Sequence, residues 1–210
     1  MSRKKLLSVI LAVLFLTSFS TITYACACCA ERGTYSILTG RVASYQIDLL
    51  REMKFGKAAN LYTTPASFDD IKGIKDVIKE FEKTTEGEFD IVGAFTGSKW
   101  TLNFMTEGEQ TGSLFLPRPT TFTSRRIHIP DNTSNAPDVS LYKEWAFTGG
   151  VSRGSGFFRN GIVVPATKYT LIFQGHGNNC DNAEDFKNWR LQISGPKAEY
   201  AFFGKMMAAN

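Results

Sequence analysis

Four cysteines and two histidines are the residues of this chain whose chemistry is most specific. Three of the cysteines cluster near the start of the chain, at Cys26, Cys28 and Cys29, and the fourth, Cys180, follows His176 in a polar loop. A disulfide between the cluster and Cys180 would close a loop of about 150 residues and add about 5 kcal/mol of stability in the chain-entropy model. Four cysteines allow three connectivities, and the sequence does not choose among them.

The same residues could instead form a metal or redox site. Soft thiolate ligands together with the imidazole of His176 would favour Cu(I) or zinc, although the C-x2-C spacing of common zinc motifs is absent. Cys28 and Cys29 are adjacent, and a disulfide between adjacent cysteines is strained and easily reduced. A Cys/His metal-binding or redox protein is therefore the alternative to a structural disulfide.

Two further patterns suggest chemistry less specifically. Residues 150–154 match G-x-S-x-G around Ser152, but a nucleophile elbow needs a helix after the serine, and a strand-like run follows here. Oxygen ligands for calcium cluster beside Cys180, at Asp181, Asn182, Glu184 and Asp185. Their spacing matches no calcium loop of known mechanism, which favours a solvated loop.

The first residues predict export. Arg3, Lys4 and Lys5 precede an apolar run over residues 6–19, and small residues follow at Ala25 and Ala27. This order is that of a secretory signal peptide, and the run is short for a bilayer span of about 20 residues. We predict a signal peptide over residues 1–25 or 1–27, followed by a single β-rich domain over residues 28–210.

The predicted location is the periplasm or the exterior. A small residue before a cysteine after an apolar run also resembles a lipoprotein signal, so lipid attachment at Cys26 is an alternative to ordinary cleavage. Contact with a membrane is expected only in that case. Because an exported chain meets an oxidising environment, disulfides are the default state of its cysteines.

Charge argues against a nucleic-acid partner. The whole chain has 24 basic and 20 acidic residues. Removing residues 1–25 removes three basic residues and no acid, which leaves 21 basic against 20 acidic residues. A nearly neutral mature chain lacks the basic surplus typical of nucleic-acid-binding domains.

The pattern of apolar residues predicts one helix and many strands. Residues 67–83 combine a capping serine at Ser67 with an apolar stripe at helical spacing. Residues 45–55 fit a strand as well as a helix, because Ile47, Leu49 and Met53 alternate, and a strand is predicted there. Further strands are predicted at residues 35–40, 89–95, 100–105, 114–116, 122–129, 141–147, 157–164, 168–173, 189–193 and 199–203. The expected fold is mainly β, an antiparallel barrel or sandwich of about eight short strands with one helix near residues 67–83.

These patterns favour a binding or structural protein of the cell envelope over an enzyme. A barrel interior is a common site for a small apolar ligand, and an envelope partner is the other expected ligand. We expect no cofactor. A hydrolase that uses Ser152 is a third hypothesis, and it has the weakest motif of the three.

Overall fold

A computed structural model describes residues 33–62, 88–106, 109, 111–128 and 141–207. Its helical elements are the helix α1 (Ser44–Glu52) and a 3-10 turn (Ala183–Asp185). Its strands are β1 (Tyr35–Arg41), β2 (Phe55–Tyr62), β3 (Glu88–Thr96), β4 (Lys99–Thr106), β5 (Thr111–Pro117), β6 (Thr121–His128), β7 (Leu141–Gly150), β8 (Arg153–Gly156), β9 (Lys168–Gly177), β10 (Phe186–Gly195) and β11 (Ala198–Met206). The protein is mainly antiparallel β, as the sequence predicts.

The eleven described strands form one sheet in the order β1-β6-β7-β9-β10-β11-β2-β3-β4-β5-β8. No ladder joins β1 to β8, the two terminal strands of this order. The sheet nevertheless curls, because β7, near one end of the strand order, is followed three residues later by β8, at the other end. Ser152 lies between β7 and β8. Its backbone N–H and its side-chain hydroxyl both donate hydrogen bonds to the carbonyl of Phe115 on β5, at 2.9 and 2.8 Å.

The curl of the sheet gives a barrel-like shape with an aromatic interior. Strands far apart in the sheet order meet across it: Trp100 of β4 lies 5.3 Å from Phe147 of β7, measured between ring centroids. Phe95 of β3 lies 6.2 Å from Phe173 of β9. Alternation explains this, since every second side chain of a strand points to the same face. In β4 that inward set ends at Thr106 and is otherwise apolar.

The helix α1 corrects one prediction. A strand over residues 45–55 is wrong, because Ser44–Glu52 is helical and only Phe55 begins a strand. The buried residues Gln46, Ile47 and Leu50 share one helical face, and the alternation of Leu49 with its neighbours is coincidental. The side chain of Gln46 also accepts a hydrogen bond from the backbone of Ala43 at 2.7 Å, which stabilises the first turn.

The other predicted elements have mixed outcomes. A strand over residues 157–164 is wrong: this stretch is a turn, in which Phe158 is buried and its backbone N–H bonds to Ser155. The strand in this region lies earlier, as β8. The remaining predicted strands from residue 35 onward each overlap a described strand. The helix predicted over residues 67–83 lies outside the described residues.

Candidate functional site

The loop between β9 and β10 carries Cys180, which is disulfide-bonded. The other three cysteines, Cys26, Cys28 and Cys29, lie outside the described residues. Which of them pairs with Cys180 therefore stays a prediction. A sulfur held in a disulfide is not a thiolate and cannot act as a metal ligand in that state, so the metal hypothesis would require reduction of this bond.

The loop is held to the sheet by ion pairs that we call the loop cluster: Arg126, Lys143, Asp181 and Asp185. Lys143 is only 1% exposed, and its Nζ lies 2.6 Å from a carboxylate oxygen of Asp185 and 4.0 Å from one of Asp181. The same ammonium donates to the carbonyl of Cys180. A guanidinium nitrogen of Arg126 lies 2.8 Å from a carboxylate oxygen of Asp181. Both cations stand on the inner side of their strands, where the alternation of β6 and β7 places them.

The loop packs too closely on β9 for side chains to intervene. A Cβ at Gly175 would clash with the carbonyl oxygen of Asp185, and one at Gly177 would clash with the carboxylate of the same residue. Glycine at both positions is what lets the loop reach Lys143. Glycines within a strand often mark such a close approach of another backbone.

The helix α1 borders this cluster. The phenol of Tyr45 accepts a hydrogen bond from the Gln46 side chain at 2.6 Å. Burial, and then the negative charge of Asp181, raise the pKa of Tyr45, so its hydroxyl stays protonated at neutral pH. Asp181 and Asp185, two of the four residues weighed as calcium ligands, are paired with Arg126 and Lys143 and so anchor the loop to the sheet.

On the outer face of the sheet, polar side chains form a row across neighbouring strands. Arg125, Glu144 and Gln174 stand opposite one another on β6, β7 and β9. Glu144 accepts hydrogen bonds from Arg125, from Tyr142 at 2.7 Å and from Gln174 at 3.0 Å. The row continues onto β10, where Asn188 faces Gln174.

The donors around Glu144 fix its protonation state. Burial by itself would raise the pKa of Glu144, but the hydrogen bonds from Gln174, Tyr142 and Arg125 and the charge of Arg125 lower it overall. Burial, followed by the hydrogen bond to Glu144, raises the pKa of Tyr142 to about 12. The glutamate is thus an anion and the tyrosine a neutral donor over the ordinary pH range.

Next to this row lies a shallow pocket of about 420 Å³, which we call the outer depression. It is lined by Gln174, Asn188, Trp189, Arg190, Phe203 and Gly204. A β-bulge in β10 between Phe186 and Asn188 shifts the register here, and bulges commonly redirect side chains beside functional sites. Arg190 and the ring of Phe203, which is 41% exposed, stand opposite each other on β10 and β11.

The amides of the outer depression are oriented by neighbours. The NH2 group of Gln174 donates hydrogen bonds to the hydroxyl of Tyr142, at 2.9 Å, and to the carboxylate of Glu144. The side-chain carbonyl of Asn188 accepts a hydrogen bond from the ammonium of Lys205, also at 2.9 Å. Each amide therefore has one half engaged in a hydrogen bond, and this orients the group. The carbonyl of Gln174 remains as an acceptor and the NH2 group of Asn188 remains as a donor.

The remaining candidates have structural roles. His176 is exposed at the end of β9, and its ring packs edge-on against Tyr142 at 5.8 Å. His128 accepts a hydrogen bond from the backbone of Gly33 at 2.8 Å. Ser152 bonds to the carbonyl of Phe115, and no helix follows it, so the geometry of a nucleophile elbow is not present.

Comparison with known proteins gives no match: no family model, no curated protein and no solved structure is similar to this chain. Two searches within the described residues are also negative. They contain no group of three His, Cys, Asp or Glu side chains placed to hold a metal ion. They also contain no helix long and apolar enough to cross a bilayer.

Sequence reasoning missed Lys143 and the outer depression for different reasons. Lys143 left a signal: in Leu141-Tyr-Lys-Glu-Trp-Ala-Phe147 it takes an inward position of an alternating strand, where a lysine needs a partner. No sequence pattern indicates that Arg190 and Phe203 are neighbours, because only the pairing of β10 with β11 brings them together.

Proposed function

We propose that this chain is an exported binding protein that recognises an acidic saccharide at the outer depression. Export is supported by the basic start and apolar run of residues 1–25. A binding role is supported by the exposed arginine and aromatic ring beside two oriented amides. The observation that carries the proposal is the pairing of Arg190 with Phe203 in the same depression as the oriented amides of Gln174 and Asn188.

The chemistry of the lining matches each part of such a ligand. A guanidinium binds a carboxylate with two parallel hydrogen bonds. The negative face of an aromatic ring attracts the weakly positive C–H groups on the flat side of a sugar ring. Sugar hydroxyls both donate and accept hydrogen bonds, as the outward halves of Asn188 and Gln174 require.

Charge around the depression favours an anion. None of its lining residues is acidic, and Lys205 bonds directly to one of them. The nearest carboxylate of the outer row, Glu144, is already held by three donors. A ligand carboxylate would therefore be attracted by the positive charges of Arg190 and Lys205.

The interior supports a ligand less well. Among the described residues, Trp100, Trp145 and Trp189 are each at most 1% exposed and pack against phenylalanine rings. Close packing of this kind leaves little room for the small apolar ligand first expected in a barrel mouth. The outer face is therefore the better place for a ligand.

The proposal is tested by titrating the purified mature chain with tri-galacturonic acid and, separately, with its fully methyl-esterified form, in a calorimeter. We expect the acid to bind and the neutral ester to bind at least tenfold more weakly. We also expect Arg190→Gln to reduce the affinity for the acid at least tenfold. Equal heats for acid and ester, or no heat from either, would overturn the acidic-saccharide assignment.

A matched control is present on the same sheet. The guanidinium of Arg153 lies 4.2 Å above the ring of Phe115, which gives a second arginine–phenylalanine pair on β8 and β5. Arg153→Gln removes the same charge from a similar pair outside the depression. It should leave the binding of tri-galacturonic acid unchanged, and an equal loss in both variants would show that only bulk charge matters.

A further inference from the structure

Among the described strands, β1 lies at one end of the sheet and has an exposed edge that no described strand covers. Its seven residues run from Tyr35 to Arg41 without proline, bulge or internal charge. Tyr35, Ile37 and Leu38 are 66%, 47% and 65% exposed. Natural sheets usually protect such edges with lysine, proline, bulges or short strands, because an open edge pairs with other strands.

The opposite end of the sheet shows such protection. The strand β8 has four residues, begins with the exposed Arg153 and ends at Gly156, which has a φ of 59°. Only β1 offers a long regular edge, among the strands that the structure describes.

The hydrogen-bonding groups on this edge can be assigned. The carbonyl of Thr34 accepts from His128 at 2.8 Å, and the N–H of Val42 donates to Thr120 at 3.0 Å. Since bonded and non-bonded positions alternate along an antiparallel ladder, even-numbered residues of β1 face β6. The odd-numbered residues Tyr35, Ile37, Thr39 and Arg41 direct their N–H and C=O groups outward.

We propose that a second copy of this chain pairs with this edge, β1 to β1 and antiparallel, about a two-fold axis at Leu38. In that register Ile37 faces Thr39 of the second copy, and Tyr35 faces Arg41 of the second copy. These are all odd-numbered positions, so each such pair exchanges two hydrogen bonds. The two sheets become continuous across the axis.

The side chains of β1 are complementary to themselves in this register. Leu38 meets Leu38 of the second copy as a non-hydrogen-bonded pair, the type in which side chains are closest. The one charge of the strand, Arg41, faces the ring of Tyr35 and no like charge, an arrangement that favours a cation–π contact. A symmetric interface needs such self-complementarity, because one patch serves both subunits.

The test is the mass of the mature chain in solution, measured by light scattering over a range of concentrations. We expect the wild type to form a dimer. Leu38→Lys and Leu38→Glu, which place like charges on the axis, should each give monomers, whereas an equimolar mixture of the two variants should give a heterodimer. Recovery in the mixture also shows that both variants are folded.

Val92→Lys is the matched control, since Val92 is 64% exposed on β3 and lies away from the β1 edge. It should leave the dimer intact. A wild type that is monomeric at every soluble concentration would overturn the proposal. So would a dimer that persists in Leu38→Lys, or a mixture of the two charged variants that stays monomeric.

Discussion

The loop cluster and the outer depression lie on opposite faces of one sheet and use their polar groups differently. In the loop cluster the charges of Arg126, Asp181 and Asp185 are matched around the buried Lys143, and all three side chains are themselves partly buried. In the outer depression Gln174 and Asn188 each have one half engaged and the other directed outward. Groups that satisfy one another stabilise the fold, whereas oriented groups with remaining capacity can bind a ligand.

The largest expected effect comes from the loop cluster. Lys143→Met preserves side-chain length but leaves the carboxylate of Asp185 buried without its cation. Breaking a buried ion pair from one side costs about 3–5 kcal/mol, and urea unfolding should show a loss of that size. Lys168→Met, at an exposed lysine of β9, is the control and should change the free energy of unfolding little.

A second stability effect should follow from the disulfide of the loop. Cys180→Ser removes the covalent bond at this site, and loss of a native disulfide typically costs about 2–5 kcal/mol. The wild type in reductant should lose a similar amount of unfolding free energy. Reductant should change the unfolding free energy of the variant less than that of the wild type, because the variant lacks this disulfide. A variant as stable as the oxidised wild type would show that the ion pairs alone hold the loop.

Two buried tyrosines sharpen the difference between satisfied and unsatisfied groups. Tyr169 donates to the carbonyl of Pro117 at 2.9 Å, whereas the hydroxyl of Tyr200 has no hydrogen-bond partner among the described residues. Tyr169→Phe should therefore destabilise by about 1–3 kcal/mol, and Tyr200→Phe should be neutral or stabilising. Equal losses in thermal unfolding would contradict this distinction.

The smallest effect is a pH dependence from the outer row. The folded-state pKa of Glu144 is lowered below the ordinary 4.5, so its contribution to stability is complete above about pH 4.5. This contribution is lost as the pH falls further and the carboxylate is protonated. Glu144→Gln should therefore lose less unfolding free energy than the wild type between neutral pH and about pH 3. Parallel pH profiles of the two proteins would contradict the role given to Glu144.

The fold was predictable where one simple period dominates. In β4 the alternation of Trp100, Leu102 and Phe104 with polar residues is unambiguous, and the strand lies where it was expected. In α1 the spacing of Ile47, Leu49 and Met53 fits two periods, and tertiary packing of Ile47 and Leu50 decides for the helix. The two phenylalanines at 157 and 158 suggested a strand, but they fill the core from a turn.

The candidate site was less predictable, because it depends on register. The lone Cys180 identified the loop between β9 and β10, since a cysteine far from the others is visible in the sequence. The partners of the loop are not visible: Lys143 and Asp185 are 42 residues apart. Sequence spacing cannot reveal which outward side chains of β10 and β11 stand side by side.

The most direct test of this account measures both properties on the same two variants. For Lys143→Met and Arg190→Gln we would determine the free energy of unfolding in urea and the affinity for tri-galacturonic acid. The account predicts that Lys143→Met loses about 3–5 kcal/mol of stability and, while folded, keeps its affinity. Arg190→Gln should keep its stability and lose affinity at least tenfold. If either variant showed the profile expected of the other, the division between a structural loop cluster and a binding surface would be wrong.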